Sequence, residues 1–272
     1  MYGTRGELRV ISWNLLRLVG AGVGDVAALI AQYRPDLLLM QEATADIAAL
    51  PGLAGGHLYR EPMEGRVYGL AVWSREPIPQ PETLPLPVSK MPGRVPPRLA
   101  QIVRFHGISF ANVHLSHGQF LNRRQLLRIV HALAKHAPDG PSAIIGDYNA
   151  VGPIRIRGFR DIGPRQPTHA TSNILSFRLD RCMAHGLRCN ASQVLGRGPS
   201  DHHPIILDLA IGNAEMRAYA RRFVPKVADA ANWVRTISQS PNAIRVPQVL
   251  SEIRKSGFKS WRERRGGREH SL

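Results

Sequence analysis

The first three quarters of the chain alternates short apolar runs with stretches that repeat apolar residues at helical spacing. Runs rich in β-branched residues predict buried strands, and repeats at three- and four-residue intervals predict helices. The first strand is predicted at 8–15, and a helix at 25–34 ends before Pro35. A second helix is predicted at 122–137. The remaining predicted strands are DLLLMQE, GLAVWSREPI, LAQIVRF, ISFANVHL, SAIIGDYNA, FRLDRCMA and HPIILDLAI. The proline-rich segment 77–97 is predicted to be a surface loop.

This alternation predicts an α/β domain of many short strands, with two packed sheets flanked by helices. The domain is expected to cover 1–212, since the remaining segment, 213–272, differs in composition. That segment carries 13 basic and five acidic residues and is predicted to be a basic, partly helical C-terminal extension. A basic amphipathic extension is typical of binding to nucleic acid or to an anionic membrane surface. The alternative is that its helices pack an apolar stripe against the domain.

Charge changes the picture more than the rest of the composition does. The formal net charge is +16, and most of the basic residues are arginine. A basic surface concentrates polyanions, although arginine-rich usage also results from a GC-rich genome without functional demand. The sequence shows no membrane-length apolar run and no signal peptide, so we expect a cytoplasmic protein. We also expect it to be a monomer. Cys182 and Cys189 fit no zinc-site spacing.

Short polar motifs follow the apolar runs and carry the candidate chemistry. Each motif alone is typical of a turn. Together, carboxylates, carboxamides and imidazoles at strand ends are what metal-assisted cleavage of a phosphate ester requires. In chain order the candidate residues are Asn14, Glu42, His114, Asp147, Asn149, Asp180, Asp201 and His202.

Glu42 is the strongest candidate for a metal ligand, because it follows an apolar strand that would deliver its carboxylate to an exposed end. Mg²⁺ prefers oxygen ligands and needs only one or two protein carboxylates. Mn²⁺ accepts the same oxygen-rich site, so the ion is Mg²⁺ or Mn²⁺. The Asn14 amide could hold Glu42 or contact the metal.

The other candidates suit proton transfer and phosphate contacts. In GDYNA the glycine is expected to let the chain turn sharply before Asp147. Asp147 and Asn149 are two residues apart and place a carboxylate and an amide on one side of the chain. His202 could act as a base or as a phosphate-contacting cation if Asp180 fixes its tautomer. His114 is a candidate general acid at the leaving-group oxygen.

With these motifs in order, the chain resembles the endonuclease/exonuclease/phosphatase superfamily of DNase I-like phosphoesterases. The resemblance covers residues 8–211 and includes WNL, QE, NVHL, GDYN, RLDR and SDHHP. It implies a four-layered α/β sandwich of two face-to-face β-sheets with helices outside. It also implies metal binding by Glu42 with help from Asp201, and action of the Asp180–His202 pair at the phosphate. Either Asp147 or His202 would activate the water.

The resemblance leaves the substrate open. His114 stands where abasic-site endonucleases have tyrosine, and the loops are short, so specific abasic-site repair is not expected. The leading interpretation is a metal-dependent phosphodiester hydrolase, a nuclease acting on DNA or RNA. The alternative is a phosphoesterase for phospholipid headgroups or sugar and inositol phosphates. A non-catalytic nucleic-acid or membrane binder is a third hypothesis, and the intact acidic set with His202 argues against it.

Overall fold

The structure is a computed structural model that describes residues 7–89, 96–137, 140–171 and 175–212. The predicted extension at 213–272 lies outside these ranges. Within them, no helix is both long enough and apolar enough to cross a membrane.

Strands make up most of the described chain. In chain order they are β1 (Leu8–Asn14), β2 (Leu37–Ala43), β3 (His57–Pro62), β4 (Gly69–Ser74), β5 (Glu82–Pro85), β6 (Leu99–Phe105), β7 (Ile108–His114), β8 (Ser142–Asp147), β9 (Arg160–Asp161), β10 (His169–Thr171), β11 (Leu175–Phe177), β12 (Asp180–His185), β13 (Leu187–Val194) and β14 (Ile205–Ile211). The helices are α1 (Val23–Tyr33), α2 (Leu50–Ala54) and α3 (Gln119–His136), and a 3-10 helix spans Ala45–Ala49.

The strands form two six-stranded mixed sheets and one small hairpin. The first sheet has the order β13-β14-β1-β2-β4-β3, and the second has the order β5-β6-β7-β8-β12-β9. Strands β10 and β11 pair as the hairpin. Each large sheet contains one parallel pair, β1 with β2 and β7 with β8, and the chain between the two strands includes α1 or α3. In each parallel pair the carboxyl ends of both strands therefore reach the same edge of the sheet.

Three apolar clusters arrange these elements in layers. The central cluster joins inward residues of both sheets, such as Leu39 and Phe110. A second cluster packs α1 on the outer face of the first sheet through residues such as Leu29. A third packs α3 on the outer face of the second sheet through residues such as Ile129. The layer order is helix, sheet, sheet, helix, which confirms the predicted four-layered α/β sandwich.

The boundaries of α1 follow from local chemistry. The helix begins after Gly22, whose backbone N–H donates to Asp25 Oδ2 at 2.9 Å. Asp25 therefore lies in the first turn, where its charge also favours the helix dipole. Arg34 closes the helix in the left-handed conformation with φ of 49°, and its N–H bonds the Ile30 carbonyl. Pro35 follows, as the sequence indicates.

The sequence pattern does not indicate the strands at the sheet edges. β3 and β13 are the two edge strands of the first sheet. They are only partly buried, so they lack a continuous apolar run. β5 lies inside the proline-rich segment 77–97, which the pattern predicts as a loop. Pairing with a neighbouring strand, rather than local hydrophobicity, decides these edge strands.

Candidate active site

A cleft of about 490 Å³ lies where the carboxyl ends of the parallel strands of both sheets meet. The register in the second sheet places His114 beside Asp147, and Asp147 beside Asp180. Asp180 itself is fully buried. The other sequence-predicted residues line the cleft: Asn14, Glu42, His114, Asp147, Asn149, Asp201 and His202.

Asp147 is the centre of the site. Its Oδ2 accepts a hydrogen bond from Asn14 Nδ2 at 3.0 Å, a contact that joins the two sheets, and its Oδ1 accepts one from the Asn149 N–H at 2.8 Å. The Nε2 atoms of His114 and His202 lie 3.5 and 3.8 Å from Oδ2. Burial raises the pKa of Asp147, and the charge of His202 opposes that rise. The carboxylate therefore faces both imidazoles.

Gly146 allows β8 to approach its neighbour closely. Its φ is 143°, and a Cβ atom there would lie 2.1 Å from the Val113 carbonyl oxygen. The glycine was expected to produce a sharp turn before Asp147. Instead, β8 continues through Asp147, and the missing side chain permits the tight contact with β7. This contact holds the two strand ends side by side.

His202 forms a buried pair with Asp180. Its Nδ1 lies 2.8 Å from Asp180 Oδ2, and the Asp180 N–H donates to Thr168 Oγ1 at 2.9 Å. Trp13 Nε1 donates to the His202 carbonyl at 3.0 Å. Burial by itself would lower the pKa of His202, but Asp180 and Asp147 together raise it to about 10. The ring is therefore a cation at neutral pH, with Nε2–H directed towards Asp147.

His114 lies in the opposite electrostatic environment. Arg98 Nη1 lies 3.1 Å from His114 Nδ1, and Nε2 of the ring faces Asp147. Burial first, and then the Arg98 charge, lower the pKa of His114 well below its usual value. A neutral ring that accepts from Arg98 at Nδ1 carries its proton on Nε2. His114 is thus placed to donate a hydrogen bond from Nε2, and its role as general acid at the leaving-group oxygen remains a prediction.

Glu42 is held by Arg17. Its Oε2 accepts from the Arg17 backbone N–H at 3.1 Å and from Nη1 at 2.9 Å. Its φ is 55°, in the left-handed region, and the pairing of β2 with β4 is irregular between Met40 and Ala43. The Arg17 guanidinium lies over the Tyr68 ring, 4.8 Å from the centroid. The left-handed backbone at Glu42 and the irregular strand pairing direct its carboxylate into the cleft.

His169 adds a second imidazole–carboxylate pair. Its Nε2 lies 3.4 Å from Asp201 Oδ2, and its ring meets the ring of His202 edge-on with centroids 4.6 Å apart. A backbone bridge also joins His169 to His202, and the Ala170 N–H bonds the Asp201 carbonyl. The hairpin strand β10 therefore fixes the loop that carries Asp201 and His202.

Comparisons with known proteins agree with this geometry. The sequence profile of the endonuclease/exonuclease/phosphatase family matches residues 11–202. This chain belongs to that family. The match therefore contains every residue that lines the cleft.

Solved structures show the same fold at low sequence identity. An endonuclease/exonuclease/phosphatase protein from Bacteroides vulgatus is 17% identical with a TM-score of 0.64, covering 75% of this chain and 99% of that one. A mannosyl-6-phosphatase from Bacteroides thetaiotaomicron is 18% identical with a TM-score of 0.63, covering 75% and 100%. A humanized TDP2 from D. rerio is 21% identical with a TM-score of 0.59, covering 75% and 98%. These likenesses establish the shared fold.

Members of this family are generally metal-dependent, and the donor set here fits a divalent cation. Asp180 Oδ1 and Asp201 Oδ1 are buried and have no hydrogen-bond partner among the described residues. Two sets of donor atoms each lie within 4.8 Å of one another, namely His169, Asp201 and His202, and Asp147, Asp180 and His202. Unpaired carboxylate oxygens beside imidazoles are ligands for such an ion. Neither set contains Glu42, which is bonded by Arg17.

The structure gathers all eight predicted residues around one cleft. Their assignment as ligands and catalysts remains a prediction, and the contacts narrow it for Asn14. Its Nδ2 is bonded to Asp147 and its Oδ1 accepts from the Leu16 N–H at 3.2 Å. The Asn14 side chain therefore holds Asp147, and not Glu42, by a hydrogen bond.

The sequence pattern did not indicate the arginines that contact His114 and Glu42, or the His169–Asp201 pair. Arg98 directly follows a proline-rich segment predicted to be a surface loop, yet it is buried. Arg17 and His169 carry no motif of their own. The one available signal was position, because Arg17 lies three residues after Asn14 and His169 lies in the polar segment before Asp180.

Proposed function

We propose that this family member is a metal-dependent phosphodiester hydrolase that acts on nucleic acid, with Mg²⁺ or Mn²⁺ as its cofactor. The observation that carries the proposal is a single cleft that combines acidic side chains, a cationic imidazole and three arginines. The arginines lining it are Arg17, Arg66 and Arg98. Acidic groups suit a metal and a water nucleophile, and fixed cations suit the charge of a phosphate.

The acidic side chains divide the work. Glu42 and Asp201 would hold the metal, which supplies Lewis-acid polarisation of a phosphoryl oxygen when bound. Asp147 would orient the attacking water and accept its proton. It is proposed for this role over His202 because a ring with a pKa of about 10 already carries its proton at neutral pH.

The two imidazoles would bind the phosphate, and the Asn149 amide would keep Asp147 aligned. His202, held by Asp180 through Nδ1, would direct its Nε2–H to a phosphoryl oxygen as a fixed cation. His114 would donate a neutral hydrogen bond from Nε2. Asn149 is held by its own Nδ2 to the Leu115 carbonyl at 3.0 Å and by its N–H to Asp147, so it would keep that carboxylate aligned. These fixed donors need no rearrangement as charge develops.

Nucleic acid is the preferred substrate because of the charge. The chain has a formal net charge of +16, and a surface of that sign draws polyanions towards an acidic catalytic centre. The segment 213–272 contributes 13 of the basic residues and is proposed to hold the same polyanion. An anionic membrane surface is the alternative partner for this segment.

The test is a substrate panel with Mg²⁺ and, separately, Mn²⁺. It contains plasmid, single-stranded DNA, RNA, a generic phosphodiester, a phospholipid and a sugar phosphate. We expect cleavage of at least one nucleic acid and a loss of about 10² to 10⁴-fold in kcat for Glu42→Ala and His202→Ala. Cleavage that survives both substitutions, or no cleavage at all, would refute the proposal. Preferential hydrolysis of the phospholipid or the sugar phosphate would instead support the other phosphoesterase hypothesis.

The chain offers matched controls for these two variants. Glu76 and His106 form an exposed pair on the surface, with His106 Nε2 3.1 Å from Glu76 Oε2. Neither residue lines the cleft. Glu76→Ala and His106→Ala therefore remove the same chemical groups and should retain full activity.

The extension is tested by binding, not by cleavage. Binding of the full chain to DNA should weaken steeply as salt rises, and the protein ending at Gly212 should show a shallower salt dependence. Its hydrolysis of a small phosphodiester should be unchanged. Equal salt dependence of the two proteins would show that the extension does not contact the polyanion.

A further inference from the structure

Arg98 is a buried arginine that has no ion-pair partner among the described residues. The residue is only 8% exposed and directly precedes β6. Its Nη1 contacts His114 Nδ1 at 3.1 Å and Met63 Sδ at 3.8 Å. Its Nε has no hydrogen-bond partner, and no carboxylate lies within ion-pair distance among the residues the structure describes. Among the described residues, Asp147 and Glu42 therefore act on this charge only from beyond ion-pair distance.

Two other arginines that are removed from solvent do have a carboxylate partner. The buried Arg181 in β12 and the half-buried Arg178, two residues before β12, both contact Asp161. The Arg178 distance is 2.6 Å and the Arg181 distance is 3.4 Å. Burying an unpaired charge is costly, and such charges normally have a partner. Arg98 also lines the cleft, so an anion bound there would supply the missing partner.

The position of Arg98 separates that anion from the phosphate at Asp147. Arg98 approaches Nδ1 of His114, whereas Asp147 lies near Nε2 of the same ring. The two ring nitrogens point in divergent directions, so an anion bound at Arg98 would lie across the imidazole from Asp147. Arg17 and Arg66 line the same cleft. A single phosphate beside Asp147 would not occupy the part of the cleft next to Arg98.

We propose that Arg98, together with Arg17 and Arg66, forms a subsite for a second phosphate group of the substrate, next to the phosphate that is hydrolysed. The inference rests on the proposed function and narrows its substrate class. The substrate carries at least two phosphates, as a nucleotide chain does. A forked guanidinium binds phosphate through parallel hydrogen bonds, which a single exposed lysine does not reproduce.

The subsite is tested by binding in the absence of turnover. Full-length protein in EDTA is titrated at low salt with thymidine 3′,5′-bisphosphate and with thymidine 5′-monophosphate by calorimetry. We expect the bisphosphate to bind about 10- to 100-fold more tightly, since a hydrogen bond to a charged group changes binding affinity by a factor of that size. Arg98→Met removes the charge at similar volume and should bring the two affinities together. Arg188→Met changes an exposed arginine of β13 and should keep the preference.

A melting curve shows whether each variant folds. If the methionine variant does not melt cooperatively, Arg98→Gln replaces it, because glutamine keeps a donor for His114 but carries no charge. Loss of the bisphosphate preference in the folded uncharged variant supports the subsite. A wild-type protein without the preference, or a variant that keeps it, overturns the subsite. Since no cleavage is measured, this result is independent of the outcome of the substrate panel.

Discussion

Two buried histidines border the same carboxylate and lie in opposite electrostatic environments. His202 pairs with Asp180 at 2.8 Å, and its pKa is raised to about 10. His114 contacts Arg98 at 3.1 Å, and its pKa is lowered well below the usual value. Burial lowers the pKa of both rings, so the charge of the neighbour at Nδ1 decides the difference. One cleft thereby contains a fixed cation and a neutral donor, both facing Asp147.

The contrast shows how the fold assigns different tasks to one residue type. A cationic ring suits the charge on a phosphate, and a neutral ring donates without adding charge. The charge of His202 depends on Asp180 and Asp147, and the neutral state of His114 depends on burial and on Arg98. Removing the charge of Asp180 or of Arg98 should therefore abolish the difference between the two histidines.

The largest effect is expected for Asp180→Asn, which removes the charge that keeps His202 protonated. We expect kcat to fall by about 10² to 10⁴-fold. The pKa of His202, followed by nitrogen-detected NMR of the ring, should fall. Asp208→Asn is the control, because Asp208 pairs with Arg9 at 2.8 Å outside the cleft. Full activity in Asp180→Asn would show that the pair does not act at the phosphate.

The cationic state of His202 also predicts a pH dependence of stability. The folded pKa is about 10 against an ordinary value of 6.5, so folding favours the protonated ring. This stabilisation is complete below pH 6.5 and is lost as the pH rises through 10. Urea unfolding of wild type should therefore show a loss of stability over that interval that His202→Gln lacks. Parallel pH profiles for the two proteins would contradict the raised pKa.

The neutral state of His114 is tested by two amide substitutions. Glutamine places its N–H₂ group near the position of Nε2, whereas asparagine places it nearer to Nδ1. If the ring acts as a neutral donor from Nε2, His114→Gln should retain more activity than His114→Asn, and His114→Ala should lose about 10²-fold. Steady-state kinetics on a small phosphodiester measures this order. Equal losses in all three variants would point to a role that needs the imidazole itself.

The smallest effect is expected for the support behind Asp180. Thr168 Oγ1 accepts from the Leu179 N–H at 3.1 Å and from the Asp180 N–H at 2.9 Å. Thr168→Val keeps the shape and leaves both buried donors without this acceptor, at a cost of about 1–3 kcal/mol in the free energy of unfolding. Chemical denaturation measures the cost, and Thr83→Val on the exposed edge strand β5 is the control. Unchanged stability would show that water satisfies these donors.

The parallel pairs explain why so much of the site was predictable. Asn14 and Glu42 lie at the carboxyl ends of β1 and β2, and His114 and Asp147 at those of β7 and β8. Strong apolar runs mark these central strands, so the polar residues after them could be recognised. The edge strands, which pack less apolar surface, gave no such pattern.

The protonation states were not predictable in the same way. Arg98 is 16 residues from His114 in sequence, and Asp180 is 22 residues from His202. No local pattern ties these pairs together. Only the packing of the two sheets and the approach of the loops decide which charge reaches which ring.

The sequence by itself determined the family, the order of the central strands' polar motifs and the chemical types available for catalysis. These follow from residue identity and local periodicity. The tertiary structure alone decided that Asp147 contacts residues of both sheets, that one histidine is charged and the other neutral, and that Arg98 is buried with no counter-ion in the part of the chain that the structure describes. The physical reason is that burial and charge proximity are properties of three-dimensional distance, which a linear pattern of residues does not encode.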